Sequence, residues 1–259
     1  MTDLEWATLR LARECGLTVP QVGIKDVGVR RVLLVRRFDR YWAARGEAVA
    51  WAEIGATARA PGRVEKRLGF VSGLTLVGCD ESESIARSYA DLARAIERYC
   101  HRSAIRADLR ELFSRMVFNV LVSNDDDHLR NHGFVFDTHL GGWRLSPLYD
   151  VVPRPSASYE RTLHLGVGTD GRAATIDNAL TRCQAFGLSR REALGIVSSI
   201  WAVVGQWRAR FDAWACRRIW HARPRQPFGR SKTWPAHRCG RRWGDSICRA
   251  APGLRRPAL

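Results

Sequence analysis

Residues 118–134 read Phe-Asn-Val-Leu-Val-Ser-Asn-Asp-Asp-Asp-His-Leu-Arg-Asn-His-Gly-Phe, and residues 143–150 read Trp-Arg-Leu-Ser-Pro-Leu-Tyr-Asp. Together they gather carboxylates at Asp125, Asp126 and Asp127, an amide at Asn131 and a further carboxylate at Asp150. Phosphoryl transfer uses this set: one carboxylate takes the proton of an acceptor hydroxyl, while an amide and a second carboxylate hold Mg²⁺ on the phosphates. Asp-x-x-x-x-Asn, then a hairpin, then Asp is the order of a kinase catalytic loop and metal-binding loop. Oxygen donors without thiolates also suit Mg²⁺ better than zinc. Three aspartates in a row are by themselves usually a solvated loop. The spacing, the hairpin and Asp150 together favour the chemical reading.

The elements that must position these groups are legible in outline. Leu109, Leu112, Phe113, Met116, Val117, Val120 and Leu121 recur at helical spacing and predict a helix that stops at Ser123-Asn124, delivering the aspartates into a loop. Phe134–Phe136 and Trp143–Leu145 flank Leu140-Gly141-Gly142, a hairpin signature. Upstream, Leu4, Ala7, Thr8, Leu11 and Cys15 predict a helix closed by Gly16. Two strands are expected around Asp26-Val27-Gly28, the second, Val32–Val35, being a continuous buried-type run. Ser84 is expected to cap a helix bearing Ala86, Tyr89, Leu92, Ala93, Ile96 and Tyr99. The Ser189–Glu192 capping box opens a late helix through Ile196, Val197, Ile200, Val204, Trp207 and Phe211, with Trp201 and Trp207 read as core. Residues 43–80, rich in Gly and Ala, resist assignment.

The two strings resemble the C-terminal domain of HipA-type serine/threonine kinases, the toxin halves of bacterial toxin–antitoxin pairs. LEWATLRLARECGLTVP, VLLVRRFDR and FGLSRREAL agree with the same family, so the similarity spans roughly residues 3–215. The resemblance implies an α+β, two-lobe protein-kinase-like fold with a mostly helical C-lobe (80–215), a truncated β-containing N-lobe with the hinge (1–79) and a basic, unstructured tail (216–259). It implies ATP and Mg²⁺ as cofactors, Asp126 as the catalytic aspartate with His128 beside it, and Asn131 and Asp150 as metal ligands. Arg36 and Phe38 fall at the nucleotide-binding hinge. Asp125 and Asp127 are expected to be exposed neighbours or turn formers. A protein substrate and an antitoxin-like DNA-binding partner follow from the same resemblance.

The chain departs from the family pattern at its start. The phosphate-covering loop and the strand with the ATP-binding lysine are missing; Lys25 and Lys66 lie in the wrong places, and Glu5 resembles the family's helix start without its usual surroundings. An N-terminally truncated domain with weak or lost catalysis is the expectation, and a non-catalytic remnant that binds an antitoxin-like partner or DNA is the alternative.

Composition bounds these readings. The 259 residues carry a net charge of +16, but residues 216–259 hold 12 basic residues and one acid, leaving +5 for the rest. At about residue 216 all apolar periodicity stops. The tail reads best as the product of a shifted reading frame, next as a disordered extension, and last as a nucleic-acid arm. No apolar run approaches the ~18–20 residues of a membrane span, and seven cysteines in no framework spacing suit reduced, cytoplasmic thiols. Gly166-Val-Gly168-Thr-Asp-Gly171 matches a dinucleotide fingerprint only literally, since no clear helix start in a βαβ unit follows, and reads as a loop turn. His221, His237, Cys239 and Cys248 lack the paired spacing of a zinc site.

Overall fold

The computed structural model describes residues 2–47, 49, 51–154 and 160–214. The basic tail and the His/Cys set within it lie outside the described residues. In chain order the elements are α1 (Thr2–Glu14), β1 (Val22–Val27), β2 (Arg30–Val35), β3 (Arg40–Ala43), α2 (Trp51–Ile54), β4 (Val64–Arg67), β5 (Phe70–Ser72), α3 (Gly73–Val77), α4 (Tyr89–Tyr99), α5 (Arg102–Val122), β6 (Gly133–Asp137), β7 (Gly142–Leu145), α6 (Ile176–Thr181), α7 (Arg190–Val204) and α8 (Trp207–Ala213). The fold is thus α+β, with three small antiparallel sheets among the described residues: β1-β2, β3-β4 and β5-β6-β7.

One large core carries the helices. From Leu112 to Val122, α5 is buried at every residue but Ser114, and it packs against α4, α6 and α7. Such a helix needs apolar side chains all round rather than one stripe. The polar exceptions are a buried Asn119 and a fully buried Arg115, whose Nε lies 2.9 Å from Glu111 Oε1 and whose Nη2 donates to the Ser146 carbonyl at 2.6 Å. The first helix belongs to the same core through Ala7, Leu9, Leu11 and Ala12. A smaller cluster of Ala43, Val49, Ile54 and Leu68 sits under β3 and β4.

Several expectations hold at the level of single residues. Gly16 ends α1 with φ +83°, Ser123 caps α5 in the left-handed region at φ 59°, and the Ser189–Glu192 capping box opens α7. The expected hairpin forms, with residues 138–141 joining β6 to β7 and Gly142 opening β7. Cys15, Cys79, Cys100 and Cys183 are all free thiols. No helix among the described residues is long and apolar enough to cross a membrane.

Others are corrected. The Val32–Val35 run is not buried: Val32, Leu34 and Val35 are 38, 51 and 39% exposed, because the two-stranded β1-β2 sheet has α1 packed beside it and gains no third strand among the described residues. Ser84 does not cap a helix. It lies buried in a short 3₁₀ turn spanning Glu81–Ala86, and α4 starts at the Ser88–Asp91 capping box. The late helical pattern breaks at Gly205-Gln206 into α7 and α8, and Trp201 is 39% exposed while Trp207 is core. Residues 43–80 contain α2, β4, β5 and α3. The Gly166–Gly171 stretch is a loop closed by a Gly168–Gly171 bridge, and a Cβ on Gly168 would lie 2.0 Å from the Asn178 carbonyl, so close backbone approach explains that glycine.

Candidate active site

Between the end of α5 and the start of β6 the chain runs through Asn124–His128 and one 3₁₀ turn, Leu129–Asn131. The side chains of this loop differ sharply in exposure. Asp125 is exposed, Asp126 is partly exposed, Asp127 is fully buried and His128 is partly buried. The expectation that Asp127 is an exposed neighbour is therefore wrong. The enclosed Asp127 carboxyl is matched by a donor, the His164 N–H, which the residue types of the loop do not reveal.

Asn131 is buried and donates from Nδ2 to the Asp126 carbonyl at 2.8 Å. That bond assigns its Nδ2 to the loop and leaves Oδ1 as the amide atom able to ligate a cation. Its main-chain N–H donates to the His128 carbonyl at 2.9 Å, closing the turn. The His128 ring packs edge-on to His164 at 5.9 Å between centroids, and its Nδ1 is buried without a partner among the described residues. His128 thus turns partly into the protein.

Asp150 stands after the β6-β7 hairpin, exposed, with φ 54°. The residue before it makes the connection to the loop: the Tyr149 hydroxyl donates to the Arg130 carbonyl at 2.6 Å, joining the neighbours of Asp150 and Asn131. Burial pushes the Tyr149 phenol up to about 12, which keeps it a donor. The Tyr149 ring also stacks on Phe38 at 5.7 Å. Phe38 and Arg36 lie between β2 and β3; the Arg36 N–H donates to the Gln21 carbonyl at 2.8 Å. Tyr149 therefore ties three expected site segments together, and nothing in the reading of the motifs singled it out. Glu5 on α1 has its carboxyl raised above the ordinary range by burial and then by the charge of Asp150, which places the two acids in one electrostatic field.

The donor set fits a hard divalent cation. Asn131 and Asp150 offer oxygen atoms, and a cation between them would relieve the repulsion that Asp150 exerts on Glu5. Among the described residues no three His, Cys, Asp or Glu side chains cluster as a closed metal site. Two protein ligands with the remainder from water and phosphate is the ordinary arrangement for Mg²⁺.

Beneath the loop lies a polar network missing from the sequence reading. The His164 N–H donates to Asp127 Oδ1 at 2.7 Å. Burial raises Asp127 to about 6, against the Tyr89 hydroxyl and the His164 N–H, which favour the ionised form. His132 is fully enclosed, edge-on to Tyr89 at 5.4 Å, and burial followed by the charge of Arg115 lowers it to about 3. Beside the loop, a pocket of about 110 Å³ is lined by Asp125, Arg154, Arg161 and Leu163 among others. Its lining includes neither Asn131 nor Asp150, and it is too small for a nucleotide.

Comparison with known proteins follows the same segments. The profile of the HipA-like C-terminal domain matches residues 1–207. The chain belongs to this family. A Haemophilus influenzae protein with a provisional kinase name is 25% identical over 157 residues, 59% of this chain and 41% of that protein. The serine/threonine-protein kinase toxin HipA of Shewanella oneidensis is 28% identical over 151 residues, 57% of this chain and 33% of the toxin. Among solved structures, the Shewanella oneidensis HipA, HipB and operator DNA complex matches with a TM-score of 0.63 at 22% identity, covering 81% of this chain and 48% of that one. This HipA-like chain shares their kinase-like α+β fold and spans less than half the length of these relatives.

Proposed function

We propose that this HipA-like domain belongs to a protein serine/threonine kinase that moves the γ-phosphate of ATP to a protein hydroxyl with Mg²⁺. The observation that carries the reading is the tie between Tyr149 and Arg130, which joins the residue before Asp150 to the residue before Asn131, in a loop where Asp126 is partly exposed. In this chemistry positioning and charge stabilisation dominate over covalent work. Asp126 would accept a hydrogen bond from the acceptor hydroxyl and take its proton. Asn131, through Oδ1, and Asp150 would hold Mg²⁺, which supplies neutralisation of the phosphate charge when bound. Phe38, braced by Tyr149, and the main chain at Arg36 would meet the base at the hinge. His128 would brace the loop from its inner side. A protein substrate and an antitoxin-like DNA-binding partner complete the reading, the latter supported by the HipB and operator DNA in the complex of the matched HipA. The four cysteines among the described residues are free thiols, which supports a cytoplasmic setting.

A second reading, a non-catalytic domain that binds an antitoxin-like partner or DNA, is favoured by one observation: Arg154 already occupies the Asp126 carboxylate. Thermal unfolding with and without ATP–Mg²⁺ at millimolar concentration separates the two, since a ligand that binds the folded state raises the melting point by mass action. Stabilisation together with phosphate transfer abolished by Asp126→Ala supports the kinase; no shift and no transfer supports the binding protein.

A further inference from the structure

Asp126 and Asp127 are adjacent carboxylates with opposite environments, one reaching solvent and one completely enclosed. Enclosing an ionised carboxylate costs several kcal/mol unless its oxygens are satisfied. A leucine would fill the same space at no such cost, so bulk does not account for an aspartate here. Its surroundings do. Oδ1 accepts from the His164 N–H at 2.7 Å. On the other side a chain of side chains leads back to the helices: Asn124 Nδ2 donates to Asn119 Oδ1 at 3.2 Å, and Asn119 Nδ2 donates to the Tyr89 hydroxyl at 2.9 Å. Because that oxygen accepts from Asn119, its own proton is free to turn toward Asp127, whose charge it feels and whose Oδ2 is buried with no hydrogen bond among the described residues.

We propose that Asp127 is a positioning residue: its enclosed carboxyl, bonded by the His164 N–H and with its open oxygen available to the Tyr89 hydroxyl, fixes the main chain of residues 125–131 so that Asp126 faces outward over Asn131. The inference rests on the phosphotransfer reading for its consequence, though not for its geometry. The His164 bond ties the loop to the segment after residue 160, and Tyr89, held in place by Asn119, would add α4 once its proton turns to the open Asp127 oxygen. The Asn131 side chain then closes the loop by its bond to the Asp126 carbonyl.

The test compares the full chain with Asp127→Leu, Asp127→Asn and Tyr89→Phe. Leucine keeps the bulk and removes the His164 bond and the acceptor open to Tyr89; asparagine keeps one acceptor oxygen but sets an N–H₂ against a second donor. Amide exchange at residues 125–131 should rise about tenfold or more in Asp127→Leu and by a smaller factor in the other two, with α5 amides unchanged. ATP turnover should fall at least about tenfold in kcat while KM for ATP stays within about threefold, since the hinge and Asp150 are untouched. Loop exchange within about twofold of the parent in Asp127→Leu, or an equal rise throughout α4 and α5, would overturn the proposal. If the parent neither binds ATP–Mg²⁺ nor turns it over, the kinase reading fails, and the exchange comparison alone then decides the positioning role.

Discussion

Arg154 closes on Asp126. Its Nη2 lies 2.5 Å from Oδ2 of that aspartate, its Nε lies 3.5 Å from Oδ1 of Asp125, and its main-chain N–H donates to the Ser123 carbonyl at 2.9 Å. The guanidinium is thus anchored by its own backbone across the end of α5, and it occupies the carboxylate that an acceptor hydroxyl would need. Both side chains are about half exposed, so the pair contributes at most about 1 kcal/mol to folding. Arg154→Ala is therefore expected to change the unfolding free energy by less than about 1 kcal/mol in denaturant titration. On the kinase reading the same variant should turn over ATP a few-fold faster at low salt, with the difference shrinking as salt screens the parent's ion pair. A slower variant would assign Arg154 a helping role instead.

Asp150 separates backbone from chemistry. Its φ of 54° is one that a residue with a Cβ adopts at some cost, and that Asp and Asn tolerate better than most. Asp150→Asn should be nearly neutral in stability, and Asp150→Ala should lose about 1 kcal/mol. Asp150→Gly removes the strain but gains freedom in the unfolded chain, so it should stay within about 1 kcal/mol of the parent. If the carboxylate is a metal ligand, all three should lose the ATP–Mg²⁺ melting shift together, despite their different stabilities. Retention of the shift in Asp150→Asn would remove this residue from the metal site.

Asp108 gives a pH dependence with a definite sign. It is buried at the foot of α5 and accepts from the Leu145 N–H at 2.8 Å, and burial raises it from 3.8 to about 6. Between those values the folded chain holds a proton that the unfolded chain has released. Stability present below about pH 4 is therefore lost as pH rises through about 6, by up to about 3 kcal/mol. Asp108→Asn keeps an acceptor for Leu145 and cannot ionise. Its stability relative to the parent should increase between about pH 4 and pH 7 and then level off. Denaturant unfolding of both proteins across that range checks the prediction, and a difference that falls with pH contradicts it.

What could be read in advance followed from local chemistry. The end of α5 at Ser123, the hairpin before Asp150 and the Ser189 capping box are written in short-range patterns, and the structure forms all three. The orientation of the acidic run was not, because three consecutive aspartates look alike until the backbone phase is known. Asp127 turns inward on account of His164, 37 residues away, and Tyr89, 38 residues away. Tyr149 was hidden for a similar reason, since its partners Arg130 and Phe38 lie far off in sequence. Val32–Val35 misled in the opposite direction. A run of β-branched and aliphatic residues predicts burial, but burial requires a covering layer, and the β1-β2 sheet has α1 beside it and no further strand among the described residues.

Arg115 offers a last prediction, on how the core reaches the site. It is one of the largest fully buried side chains, and it links α5 to the strand exit through the Ser146 carbonyl, four residues before Asp150. Glu111 Oε1 accepts from Arg115 Nε at 2.9 Å and from the Thr18 N–H at 3.1 Å, so one carboxylate satisfies both a buried charge and the loop after α1. Removing one partner of a buried pair leaves the other uncompensated, and Arg115→Ala should cost about 3–5 kcal/mol in denaturant unfolding. Lysine cannot reproduce the fork that spans Glu111 and Ser146, so Arg115→Lys should recover less than half of that loss. Arg115→Met combined with Glu111→Gln removes both charges, keeps an acceptor for Thr18 and should recover most of the stability, because the desolvation cost disappears along with the attraction. The Ser146 carbonyl would still have lost its donor. The double variant should therefore show raised amide exchange at residues 146–150 and a reduced ATP–Mg²⁺ melting shift despite near-parental stability. A full shift in that variant would mean that Arg115 serves the core alone.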